Sequence, residues 1–191
     1  GTNYNQVQSF QNFVIYKTND TARQLKNFVY NRSSKYVSSG GSGSICYAND
    51  KSFFVGGTDL DKVKSKGLSY KFNKNIDTVF IKEYSLFDSL NAFLNVGELS
   101  NGNLIFCGAT SKTSYQNQFD AWYIVTDTNG NIIWQKTFGC NDFDVGSSVA
   151  PYGGGVAVGW YYWDCNGDIF DFNVINMDND GNVKWIKKLG S

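Results

Sequence analysis

Histidine is missing from this 191-residue chain, and its absence removes much familiar catalytic machinery. Without an imidazole there is no Ser-His-Asp or Cys-His nucleophile, no His-containing zinc site and no helical His-Glu-x-x-His protease motif. Arg23 and Arg32 are the only arginines, too few for a three-arginine cluster that grips a carboxylate substrate. Glu83 and Glu98 are the only glutamates. Glycoside hydrolysis by paired aspartates survives this elimination. It needs carboxyls about 5 Å apart for retention or about 6.5–9.5 Å apart for inversion, and no pair stands out. No apolar run approaches the ~20 residues that cross a bilayer as a helix, so membrane insertion is not expected. Lys+Arg and Asp+Glu both number 17, and this balance holds nothing to attract nucleic acid or anionic lipid; Lys62, Lys64 and Lys66 read as a solvated loop. Lacking an initiator Met and a signal peptide, the chain reads as a mature or excised piece of a larger product.

What is present points to a folded domain. Hydrophobic residues make up 41%, with 20 glycines and a single proline, which excludes collagen-like and disordered classes; a chain of this length buries roughly 70% of its unfolded surface. One phrase occurs twice: Asp127-Thr-Asn-Gly-Asn-Ile-Ile-Trp134-Gln-Lys136-Thr-Phe-Gly139 is echoed 51 positions later by Asp178-Asn-Asp-Gly-Asn-Val-Lys-Trp185-Ile-Lys187-Lys-Leu-Gly190. Upstream, Asp120 matches Asp171, Gly108 matches Gly159, and Cys107 aligns with Val158 and, one copy earlier, with Val55. That weaker third copy carries Phe80 at the Trp position and Ile76 in place of the turn Gly, which puts its hairpin geometry in question. A fourth copy rests mainly on Phe13–Thr18. Periodicity of this kind makes a repeat architecture the first consideration.

The local signals are all β. Asp-Thr-Asn-Gly-Asn and Asp-Asn-Asp-Gly-Asn, flanked by alternating apolar residues, suit three-residue hairpin loops whose Gly takes the left-handed conformation of a G1 bulge. The last unit reads as four strands near 147–152, 155–163, 169–177 and 182–189, and no segment shows helical periodicity. The expected fold is all-β, a single domain over 1–191, and the fixed period selects a β-propeller of about four four-stranded blades. The units fall near 1–40, 41–87, 88–140 and 141–191. Trp134 and Trp185, fixed by the repeat, are expected to pack between blades.

The phrase Phe/Asp-x-Trp-x-Ile-x-x-Asp-x-x-Gly-Asn-Ile-x-Trp-x-Lys-x-x-Gly, followed by a polar loop with Asp and then Gly-Gly-x-Val-x-x-Gly, resembles the bacterial β-propeller repeats of secreted and surface proteins. The resemblance is good over 88–191, fair over 44–87 and poor before that. It implies an extracytoplasmic scaffold or binding module, secreted or at the cell surface. It carries over no ligand site, because the matching residues build turns and blade packing.

The cysteines divide into two kinds. Cys46 and Cys107 fall inside strands and read as small buried hydrophobes. Cys140 and Cys165 fall in loops that emerge on one face of a propeller, where either a disulfide or two free thiols fits; their spacing lacks the Cys-x-x-Cys of a zinc site. The same loops hold the candidate ligand-binding residues: Asp142 and Asp144 beside Cys140, and Tyr161, Tyr162, Trp163, Asp164 and Asp168 around Cys165. Aromatic faces with a few polar groups suit sugar rings, and converging carboxylates suit calcium, although Trp160–Trp163 also continue an apolar strand that could pack on a neighbour. Asn176-x-Asp178-x-Asp180-Gly181 imitates an EF-hand start, yet Lys187 stands where the bidentate Glu is required, so it reads as a hairpin turn. Two Asn-x-Ser/Thr sequons begin at Asn19 and Asn31 and matter only in a glycosylating host.

These readings converge on a non-enzymatic binding or structural module that contacts a glycan or a protein through one face and needs no cofactor beyond, at most, Ca2+. The alternatives are a lectin with its site in the last blade and an aspartate-dependent glycan-active enzyme. Four units with no spare terminal strand leave three assemblies open: a small closed ring, a segment of a larger propeller, or self-association that completes a larger ring.

Overall fold

The computed structural model describes residues 13–18, 21–30, 36–39, 44–61, 64–113, 118–139, 143–163 and 170–189. Their regular structure is all β, in fifteen strands. β1 (Phe13–Thr18) and β2 (Gln24–Tyr30) form the first sheet. β3 (Tyr36–Ser39), β4 (Ile45–Tyr47), β5 (Phe53–Asp61), β6 (Lys64–Phe72) and β7 (Thr78–Tyr84) form the second. β8 (Asn91–Glu98), β9 (Leu104–Thr110), β10 (Asp120–Thr126) and β11 (Ile132–Phe138) form the third, and β12 (Asp144–Tyr152), β13 (Gly155–Trp163), β14 (Phe170–Met177) and β15 (Val183–Leu189) the fourth. Strand pairs are antiparallel and follow chain order, except that β3 and β4 share one edge of β5. The second sheet therefore begins by Tyr36, ahead of the unit boundary near 41.

The sheets stack face to face in chain order, each junction filled by one core cluster. Leu68, Tyr70 and Phe72 of the second sheet meet Ile15 and Phe28 of the first. Phe54 and Tyr84 of the second meet Phe93, Phe106 and Trp122 of the third, where the Phe93 ring stacks on Trp122 at 4.8 Å. Cys107 and Tyr123 of the third meet Val158, Trp160 and Ile175 of the fourth. This sandwiching explains why β9 and β10 are apolar nearly throughout rather than alternating: both their faces are covered.

Irregularities recur at corresponding places. Register shifts fall between Phe93 and Asn95 and between Gly146 and Ser148 on the inner strands. On the outer hairpins they fall between Lys17 and Thr18, Lys71 and Phe72, Val125 and Thr126, and Asn176 and Met177. Each outer hairpin then places one residue in the left-handed region: Ala22 (φ 59°), Ile76 (φ 61°), Gly130 (φ 76°) and Gly181 (φ 80°). The 73–77 hairpin thus keeps its geometry without glycine. A left-handed non-glycine residue costs roughly 1–2 kcal/mol, and here the Ile76 side chain offsets this by burying itself in the first junction.

The pairing corrects the sequence alignment of the inner strands by one residue. Gly108 lies opposite Trp122, whereas Gly159 lies opposite Val174, one position past the match of Trp122. Trp160 is therefore the counterpart of Gly108, and Val158 that of Phe106, while Cys107 faces the opposite side. The stretch of chain from Trp160 to its partner Asn173 is one residue shorter than that from Gly108 to Trp122, and this sets the offset. Cys107 is buried and Cys46 half-buried, both as free thiols, and burial pushes the Cys107 thiol well above its ordinary pKa.

The two repeat tryptophans also part company. Trp134 packs on the third junction and its Nε1 donates to the Asn179 carbonyl at 2.9 Å. Trp185, expected between blades, is 47% exposed, because it lies on the outward side of the last sheet.

Candidate functional site

Antiparallel chain order sends alternate connections to opposite ends of the stack. One end carries the outer hairpins 73–77, 127–131 and 178–182; at the other lie 85–90 and the described residues that flank the remaining connections, 111–113, 118–119, 139, 143, 163 and 170.

The hairpin end uses its polar groups internally. Asp127 Oδ1 accepts from the backbone N–H of Asn129 and Asn131, and Asp178 Oδ1 likewise from Asp180 and Asn182. Asn73 does the same for Asn75 and Asp77. Hydrogen bonds from Asn182 hold the Asp178 carboxyl below its ordinary pKa. At Asp127 partial burial pushes upward, but the bonds from Asn131 and Asn129 outweigh it and the net shift is downward. The EF-hand-like run at Asp178 is therefore a hairpin turn whose carboxylate is occupied by its own backbone.

The opposite end presents aromatic rings. Phe119 and Phe143 form a parallel bridge that ties the third sheet to the fourth, and the Asp144 N–H donates to the Phe119 carbonyl at 2.8 Å. Their rings meet edge to face at 5.5 Å, and Phe143 lies 6.3 Å from Tyr161. All three are half-buried, and burial raises the Tyr161 phenol pKa. The bridge holds this ladder in place, since it fixes Phe119 and Phe143 at the entries to β10 and β12 while Tyr161 follows from the β12–β13 register.

Asp144 was expected as a rim carboxylate, but it is only 1% exposed. Its Oδ2 faces Gly139, where an added methyl would sit 2.8 Å away. Asn91 opens β8 as Asp144 opens β12, and its bonding shows what the position does. Its Oδ1 accepts from Leu86 N–H and Thr110 Oγ1, and its Nδ2 donates to the Phe87 and Ser65 carbonyls. A polar residue here anchors the incoming loop from within. Of the other expected residues, Tyr162 lies opposite Asp144 and Trp163 opposite Phe170 at the end of β13. Asp142, Asp164 and Asp168 lie outside the described residues, as do Cys140 and Cys165 and with them the choice between a disulfide and two free thiols.

Sequence reasoning missed Phe119 and Phe143. A signal was present in four Phe-Asp doublets, Phe87-Asp88, Phe119-Asp120, Phe143-Asp144 and Phe170-Asp171, all of which fall at this end of the stack. Among the described residues no group of three or more Cys, Asp or Glu is arranged to hold a metal ion. A crevice of about 110 Å³ lies elsewhere, between β1 and the second sheet; Ile15, Phe72 and Ile76 line it, so it is continuous with the core of the first junction. No family model matches the chain, and no curated protein matches it.

Proposed function

We propose that this chain is a non-enzymatic β-propeller module, secreted or at the cell surface, that contacts a glycan or a protein through the aromatic end of its sheets. The observation that carries the reading is the ladder of Phe119, Phe143 and Tyr161, three half-buried rings held by a bridge between two sheets. Stacked sheets with recurrent bulges and left-handed hairpin positions support the propeller arrangement. Rigid aromatic surfaces at low conformational cost suit the apolar faces of sugar rings and the apolar anchors of protein partners. Carbohydrate is the ligand class to test first, because Tyr161 leads directly into the Tyr162-Trp163-Asp164 run.

An aspartate-dependent glycan-active enzyme is the less favoured reading. Its candidate Asp144 is buried, with Gly139 against its carboxyl, and would have to be exposed to reach a substrate.

The test is a glycan-array screen of the intact protein beside a Trp163→Ala variant shown by circular dichroism to stay folded. Selective binding that disappears in the variant supports a lectin-like site at this end of the last sheet. A blank array moves the reading to a protein contact or a spacer, and turnover of an arrayed glycan overturns the non-enzymatic reading.

A further inference from the structure

Each junction between sheets repeats one contact. The side chain of the preceding sheet donates a hydrogen bond to the carbonyl of the second residue in the next sheet's outer hairpin. Lys17 Nζ reaches Lys74 O at 2.9 Å, Lys71 Nζ reaches Thr128 O at 3.0 Å, and Trp134 Nε1 reaches Asn179 O at 2.9 Å. The bulges align Lys26, Phe80, Trp134 and Trp185 as one series on the outermost strands. The first three members lie at junctions: the Lys26 ammonium pairs with Asp77, Phe80 packs against the second core cluster, and Trp134 covers Gly181. Trp185, the fourth, stands 47% exposed, with Leu189 exposed on the same strand.

The other end of the stack has the matching deficit. The same bulges align Tyr16 with Tyr70, Ile124 and Ile175. Those three are completely buried against the preceding sheet, whereas Tyr16 is 58% exposed, beside exposed Leu25 and Val29. The first hairpin also has the left-handed residue that every docked hairpin presents, here Ala22. Among the described residues, one end of the molecule is thus a donor surface without a hairpin, and the other is a hairpin without a donor surface.

We propose that a second copy of this chain docks head to tail, its first sheet covering the outward face of the fourth so that Trp185 seats against the β1–β2 hairpin of the incoming copy. The contact is heterologous, with different patches meeting, so it closes into a ring if the rotation between copies closes and otherwise extends as an open filament. It continues the series of junctions already present within the chain and is independent of what the aromatic end binds.

The experiment is sedimentation velocity over a wide concentration range on the intact protein, on Trp185→Asp, on Tyr16→Asp, and on an equimolar mixture of the two variants, each checked for folding by circular dichroism. The wild type is expected above the monomer mass and each variant at it. The mixture is expected to recover a heterodimer, because Tyr16→Asp keeps an intact tail and Trp185→Asp an intact head. Should either variant fail to fold, Leu189→Glu and Leu25→Glu replace tail and head. A wild type that stays monomeric overturns the proposal, and so does a mixture that fails to recover association while both variants are folded.

Discussion

The two ends of the stack solve the same connection problem differently. At the hairpin end, residues 73–77, 127–131 and 178–182 make one turn three times, with the first side chain bonded to two backbone N–H groups and the fourth residue left-handed. At the opposite end the connections differ in length and content. Asn91 anchors one through its side-chain amide, while a Phe119–Phe143 bridge ties down another. Uniformity marks the end that holds the sheets in register. Variation, with partly exposed rings, marks the end for which we propose recognition.

Substitutions at the hairpin end should therefore cost stability, and those at the aromatic end should cost binding. The largest effect is expected for Gly130→Val. A β-branched residue is unfavourable at φ 76°, and its Cβ would press on Lys82 and Tyr84 of the neighbouring sheet. Backbone strain and overpacking together predict a loss of about 2–4 kcal/mol in urea unfolding.

Ile76→Gly comes next and sharpens the comparison, because turn chemistry alone expects it to stabilise. Removing a buried Ile costs about 2–5 kcal/mol, and relief of the left-handed strain returns only about 1–2 kcal/mol. A net loss of about 1–3 kcal/mol is expected. A stabilised variant would show that the side chain contributes little at the first junction.

Asp127→Ala should cost less, about 0.5–1.5 kcal/mol, since the turn is largely solvent-exposed and screened. The pH dependence carries its sign. The folded pKa of Asp127 is depressed, so its contribution is complete above the unfolded carboxylate pKa of about 4 and is lost as pH falls through the lower folded value. Thermal melts between neutral pH and acid should show the wild type losing more stability than Asp127→Ala. Parallel curves would contradict this.

Tyr161→Ala is expected to have the smallest effect on unfolding, within about 1 kcal/mol, because the ring is half-buried at the edge of the sheet. A larger loss would make the aromatic ladder a packing feature.

The parts legible in the sequence were those dictated by local chemistry. Asp-x-x-Gly-Asn spelled out the two later hairpins, and the strand spans of the last unit came out within a few residues of 144–152, 155–163, 170–177 and 183–189. Features that depend on what faces what were not legible. Gly108 and Gly159 match by identity but sit one pairing position apart, because one residue fewer between β13 and β14 changes register without changing letters. Trp134 and Trp185 share a motif, yet only the first has a sheet in front of it. Asp144 looked like a rim carboxylate because it neighbours Cys140, and its burial follows from the Phe119 bridge, a contact between sheets that local spacing does not encode. Ile76 in the turn is the converse case, where tertiary packing overrides a missing local signal.

The central claim is that recognition belongs to the aromatic end, and paired variants on the two ends test it directly. The glycan array should be read for Tyr161→Ala and for Asn129→Ala, an exposed hairpin residue, at equal folded concentration. Binding lost by Tyr161→Ala and kept by Asn129→Ala is the predicted result; binding kept by Tyr161→Ala and lost by Asn129→Ala would contradict the account.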